Sequence, residues 1–141
     1  MRILLVYCHP VPESFCASIR DTAVQALTKA GHEVDLLDLY AEGFDRVWTP
    51  ELTFRIPDGP GPIEPLMTHI NLLGVITTCG APRWWSYVVA HPGKRTILRG
   101  MRALCGKSCR RLFMAHYLMD KSTPETRAKY LAAVEKRLAR L

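Results

Sequence analysis

The chain is 141 residues long, with 48% hydrophobic and 23% charged residues. That size and composition fit a single globular domain over 1–141 and exclude disorder over most of the length. The longest apolar stretches, Ile3 to Cys8 and Asn71 to Ala81, fall short of the ~18 residues of a membrane span, and the N-terminus lacks a signal peptide's basic and long apolar regions, so a soluble cytoplasmic protein is expected. The net charge of +6 is unevenly placed: residues 1–82 hold 5 Lys and Arg against 10 Asp and Glu, residues 83–141 hold 14 against 3. A basic partner surface, if present, belongs to the C-terminal part, and its sign suits nucleic acid, acidic membrane or a phosphorylated cofactor.

Ile3-Leu4-Leu5-Val6-Tyr7-Cys8 is a continuous apolar run of strand length and predicts a central parallel strand covered on both faces. A loop from His9 to Ser14 follows. Ile19, Ala23, Ala26, Leu27 and Ala30 then recur at helical spacing, with Gly31 as the stop. His32 to Leu39 reads as a second strand, and strand, helix, strand within about 40 residues is a right-handed parallel crossover of an α/β fold. From 39 to 70 the pattern is irregular and rich in proline, with Leu52-Thr53-Phe54-Arg55-Ile56 as a short alternating piece able to add an edge strand.

Leu72 to Thr77 predicts a third buried strand running into the turn Thr78-Cys79-Gly80-Ala81-Pro82. A basic helix is expected from about Lys94 to Leu104, stopped at Gly106, and a last strand from Arg111 to Leu118. Thr123-Pro124-Glu125 supplies an N-cap, a proline at the first helical position and an acid in the first turn. Leu131, Val134, Leu138 and Leu141 give the closing helix one apolar face.

Ligands of open α/β sheets bind beyond the carboxyl ends of the strands. After the first strand, Ser14 and the backbone N–H groups of Phe15, Cys16, Ala17 and Ser18 form either an anion cradle or a simple helix cap, at even odds. Thr77, Thr78, Cys79 and Gly80 end the third strand with hydroxyls and close backbone approach, suited to a planar ligand with a polar edge. Trp84, Trp85 and Tyr87 add aromatic area for a ligand or an interface. His9 is placed for a phosphate and His91 for proton work, whereas His32 and His69 read as surface residues and His116 as a half-buried strand residue.

Cys8, Cys16, Cys79, Cys105 and Cys109 are expected as free thiols, since they are odd in number and contain no C-x-x-C pair. Cys105-x3-Cys109 could in principle ligate a metal, but no second pair of Cys or His lies nearby at ligand spacing and no His pair has it, so structural thiols are favoured and no metal is expected. No G-x-S-x-G elbow supports a hydrolytic triad.

Arg2-Ile3-Leu4-Leu5-Val6-Tyr7-Cys8-His9-Pro10 with Ser14-Phe15-Cys16-Ala17 resembles the opening of the flavodoxin-like NAD(P)H:quinone oxidoreductases. Gly74-Val75-Ile76-Thr77-Thr78-Cys79-Gly80-Ala81-Pro82 with Trp84-Trp85 is similar to the second flavin segment of that family. The resemblance implies a three-layer sandwich around a parallel sheet, FAD or FMN as cofactor, NAD(P)H as co-substrate, a quinone acceptor and a homodimer. It assigns the flavin phosphate region to His9, Ser14, Phe15, Cys16 and Ala17, and the ring edge to Thr77, Thr78, Cys79 and Gly80. It maps a tyrosine and a histidine that stabilise charge on the reduced ring to Trp85 and His91. An indole has one N–H and cannot exchange a proton as a phenol does, which leaves Trp85 a positioning group.

Against that pattern, one central strand and its crossover helix are missing at the join between Phe44-Asp45 and Arg46-Val47-Trp48-Thr49-Pro50, with weaker flavin binding as the expected result. Strand one then pairs directly with Leu72 to Thr77, or the Leu52 to Ile56 piece adds an edge. The alternative to an active reductase is an impaired dimerisation or regulatory module of the same fold. A nucleic-acid binder ranks lowest, since Lys and Arg on helical faces are usually just solvated.

Overall fold

The computed structural model describes residues 1–43, 54–55 and 64–141. The chain divides into two compact units, unit 1 from Met1–Asp45 with Leu118–Leu141, and unit 2 from Arg46–Tyr117.

In unit 1, β1 (Arg2–Tyr7) and β2 (Glu33–Asp38) form a parallel pair in register from Arg2 with Glu33 to Tyr7 with Asp38. Helix α1 (Phe15–Lys29) connects them. Ser14 caps it, its side-chain oxygen accepting from the Ala17 N–H at 3.2 Å. The predicted stop holds for a physical reason: Gly31 sits at φ +80, a left-handed turn that a Cβ disfavours. There the His32 N–H donates to the Leu27 carbonyl and the Gly31 N–H to that of Thr28, a complete Schellman closure.

Helix α4 (Pro124–Leu138) packs against α1. Thr123 and Thr126 form its reciprocal capping box, Pro124 starts it and Glu125 lies in the first turn. Val134 is fully buried and Leu138 nearly so, as the apolar stripe requires. No helix among the described residues is long and apolar enough to cross a membrane.

The first strand departs from the expectation of cover on both faces. Tyr7 is buried and lies under the Arg20 guanidinium of α1 at 4.7 Å, which fixes the helix-covered face as that of Ile3, Leu5 and Tyr7. Leu4 and Val6 on the other face are 64% and 53% exposed. β1 is hydrogen-bonded to β2 alone among the described residues. A second crossover helix would cover that open face in a doubly wound sheet.

In unit 2, β5 (Leu72–Thr78) and β6 (Arg110–His116) pair in parallel, from Leu72 with Arg110 to Thr78 with His116. Their connection carries α2 (Arg83–Val88), the single turn α3 (Pro92–Arg95), a π-helical turn over Thr96–Gly100 and a 3-10 turn over Met101–Leu104. The basic helix expected from Lys94 to Leu104 is thus wound three ways. Gly93 and Gly100 lower its helical preference, and the Thr96 hydroxyl donates back to the Pro92 carbonyl at 3.1 Å.

Gly106 lies just beyond this connection, where a Cβ would stand 2.7 Å from the Thr68 carbonyl oxygen. β3 (Phe54–Arg55) pairs antiparallel with β4 (Glu64–Pro65). Of the expected edge piece, only Phe54 and Arg55 are described, and their partner is Glu64–Pro65 rather than a parallel strand. Leu52, Thr53, Ile56, the join from Phe44 to Pro50 and Pro57, Pro60 and Pro62 lie outside the described residues.

Candidate functional site

The loop after β1 is held by its own side chains. His9 Nδ1 lies 3.1 Å from the Val11 N–H and 3.2 Å from the Val11 carbonyl, which holds the ring against its own loop, and the Ser14 N–H donates to the Val11 carbonyl. Ser14 serves as the cap, so the Ala17 N–H is engaged internally. Phe15 and Cys16, the first residues of α1, are half-buried, and Ala17 is buried. Arg127 of α4 brings a guanidinium to 5.6 Å from the centre of the Phe15 ring, oriented by a 2.8 Å hydrogen bond from its Nε to the Ser122 hydroxyl. Tyr130 lies beside Phe15 with ring centres 6.3 Å apart. Positive charge therefore stands at the start of α1, where the helix dipole also favours an anion. The linear sequence hides Arg127 because only the packing of α4 on α1 brings it there.

In unit 2, Thr77, Thr78 and Cys79 lie at the carboxyl end of β5, all half-buried, and Gly80 is exposed in the turn beyond. The Cys79 N–H donates to the His116 carbonyl at 2.8 Å and so extends the strand pairing rather than offering a ligand donor. Its thiol is 3.8 Å from the hydroxyl of the buried Ser86. Cys105 and Cys109 are buried free thiols, and burial pushes the Cys105 thiol up. Among the described residues no group of His, Cys, Asp or Glu is arranged to hold a metal.

His91 stands in an aromatic cluster, with ring centres 5.0 Å from Tyr87, 6.0 Å from Phe113 and 6.3 Å from Tyr117. The Trp85 ring lies instead edge-on to Trp84 at 5.5 Å, with both indoles exposed. The side chain beside His91 is thus the phenol of Tyr87. Counting along the sequence selects Trp85, whereas the chain turning through α2 into Ala90 carries Tyr87 to the imidazole. A hydrogen bond with Arg83, and then the Arg83 charge, hold the Tyr87 phenol below the usual tyrosine range, whereas burial raises that of Tyr117. One tyrosine beside His91 is therefore the readier proton donor.

Residues 1–46 match the family model described as flavodoxin-like fold. Over 44 residues the chain is 43% identical to ribosyldihydronicotinamide dehydrogenase [quinone] of Rattus norvegicus, a match covering 31% of this chain and 19% of that protein. Two solved structures align over almost the whole chain. Smu.1420 from Streptococcus mutans UA159 does so with a TM-score of 0.80 and 20% identity, covering 100% of both chains. The NAD(P)H:quinone oxidoreductase from Methanothermobacter marburgensis gives 0.73 and 14%, covering 99% of this chain and 96% of that one.

The chain has the flavodoxin-like fold. In this flavodoxin-like chain the loops after β1 and β5 are the carboxyl-end loops of parallel strands, the positions at which such sheets take ligands.

Proposed function

We propose that this protein is a flavin-dependent NAD(P)H:quinone oxidoreductase. The observation that carries the reading is the His91 imidazole among Tyr87, Phe113 and Tyr117, with a phenol acidified by Arg83 at its side, shortly after the strand-end turn. The donor chemistry fits a flavin. In unit 1 the proposed contacts are His9, Ser14, Phe15, Cys16 and Ala17, to which Arg127 adds charge for a phosphate. In unit 2 they are Thr77, Thr78, Cys79 and Gly80, with the Thr hydroxyls and the Cys79 side chain acting in place of the engaged Cys79 N–H.

Bound FAD or FMN would supply two-electron chemistry between NAD(P)H and a quinone. The chain's own part is positional and protonic. His91, clasped by three rings, has little freedom to turn and would present an imidazole N–H to developing negative charge. Tyr87 would donate a proton at its oxygen, with the Arg83 cation stabilising the phenolate left behind. Trp85 would position a ring without exchanging protons.

The visible absorption spectrum of the purified protein tests this. A flavin band that bleaches with NADPH and returns on adding a soluble benzoquinone is expected. His91→Ala is expected to lower quinone reduction while keeping the flavin. A colourless protein that quenches neither FMN nor FAD fluorescence on titration would refute the reading. The open Leu4 and Val6 face and the engaged Cys79 N–H favour a second reading, a catalytically impaired homodimeric module. It predicts a dimer by size-exclusion chromatography and light scattering with no NAD(P)H oxidation.

A further inference from the structure

Unit 2 buries two thiols that the proposed chemistry does not use. Cys105 and Cys109 are 7% and 2% exposed, and a side-chain hydrogen bond joins them. The residues between them form a tight turn, in which the Cys109 N–H donates to the Gly106 carbonyl at 2.9 Å. That turn folds the chain back so that side chains four positions apart meet outside a helix.

The backbone of both cysteines is pinned. Cys105 bridges Met67, and its N–H donates to the Arg102 carbonyl at 3.1 Å. The Arg102 guanidinium donates from Nε to the Cys109 carbonyl at 3.0 Å and from Nη2 to the Lys107 carbonyl at 3.3 Å. One arginine thus clasps both ends of the turn. The Arg110 N–H, next to Cys109, donates to the Asn71 carbonyl at 2.8 Å. Each thiol otherwise makes one weak bond, Cys105 to the Met101 carbonyl at 3.4 Å and Cys109 to the Arg110 carbonyl at 3.5 Å. Joining the sulfurs therefore calls for side-chain rotation rather than backbone movement.

Residues 65–117 hold eight Lys and Arg and no Asp or Glu, a field that favours a thiolate. Burial, followed by the neighbouring Cys109, raises the Cys105 thiol, and the Arg102 charge offsets part of that rise. Only the thiolate is a nucleophile, so the pair reacts slowly near neutrality and faster as pH climbs.

We propose that Cys105 and Cys109 form a reversible dithiol–disulfide couple that reacts with hydrogen peroxide. The Cys105 thiolate, less buried than Cys109, attacks one peroxide oxygen. The S–O bond forms, the O–O bond breaks, and the departing hydroxide takes up a proton to become water. The Cys109 sulfur then attacks the sulfenic sulfur of Cys105. The S–S bond forms, the S–O bond breaks, and a second water leaves with the Cys109 proton. Two electrons pass from the thiols to the peroxide, and a small dithiol returns them by exchange. The bond fastens the end of the irregular connection to the residue preceding β6. None of the proposed flavin contacts takes part, and the inference does not rest on the flavin reading.

Treating the full reduced chain with hydrogen peroxide, then alkylating and digesting with trypsin, provides the test, because Lys107 lies between the two cysteines. Peptides 103–107 and 108–110 joined by a disulfide are expected as the dominant crosslink, cleared by dithiothreitol. The same treatment in urea should scatter crosslinks over the five cysteines. The native rate should keep rising with pH beyond about 8.5, the ordinary thiol value. Cys109→Ser should trap the sulfenic acid on Cys105, read as a several-fold gain in dimedone adduct there. If that variant misfolds, the crosslink map and pH profile of the unaltered chain decide. A dominant bond elsewhere in the native chain, Cys105 driven to sulfinic acid beside an intact Cys109 thiol, or native thiols that join only in urea would overturn the proposal.

Discussion

Unit 1 and unit 2 are each built on one parallel strand pair with a helical connection, and the two connections are made differently. In unit 1 a single 15-residue helix runs from a side-chain cap to a glycine closure, and a second capped helix packs on it. In unit 2 the connection passes through short α, π and 3-10 turns, none with a side-chain cap. Regular winding with local caps specifies a helix from within. Irregular winding must be held by its surroundings, here a buried Leu98, the Met67 to Cys105 bridge and the close approach of Gly106 to Thr68. The aromatic cluster around His91 is assembled from this irregular connection together with Phe113 of β6 and Tyr117 just beyond it.

Matched core deletions should expose that difference most strongly. Leu138→Ala in unit 1 and Leu112→Ala in unit 2 remove similarly buried side chains, and each should cost about 2–5 kcal/mol. Hydrogen exchange followed residue by residue is expected to lose protection first in β1 and β2 for Leu138→Ala, and first in β5 and β6 for Leu112→Ala. Identical exchange patterns for the two variants would dissolve the distinction between the units.

A smaller effect is expected from Gly106→Ala. The new Cβ meets backbone rather than a side chain that can swing aside, so overpacking should cost about 1–3 kcal/mol in denaturant unfolding. Smallest is a spectroscopic shift. In an alkaline absorbance titration Tyr87 should ionise below the ordinary phenol range and Tyr117 above it, and Arg83→Gln should return Tyr87 to the ordinary range. Because the folded-state value is lowered, the Arg83–Tyr87 pair adds stability only above the ordinary phenol range. That contribution disappears as pH falls through the lowered value.

What could be read in advance follows from the range of the forces involved. The caps at Ser14 and at Thr123 with Pro124, the Gly31 stop and the parallel strands are legible because each is decided within a few residues. The π turn over Thr96–Gly100 is not, since propensity marks only a helix there. The Phe54–Arg55 pairing with Glu64–Pro65 depends on a partner about ten residues away, and the apolar run at β1 reads as covered whether or not the chain supplies the cover. In the candidate site, the strand-end loops follow from the α/β pattern. Tyr87 beside His91 and Arg127 beside Phe15 require helices already folded in place.

The carboxylate-free run from 65 to 117 gives salt opposite effects on the two halves. Its crowded positive charges have no internal counterweight, so added electrolyte lowers their electrostatic self-energy and should raise the melting temperature of β5 and β6. The same electrolyte screens Arg2 from Asp35 and Arg20 from Asp38 in unit 1. A change of ionic strength, with no change of sequence, therefore tilts the balance of firmness between unit 1 and unit 2.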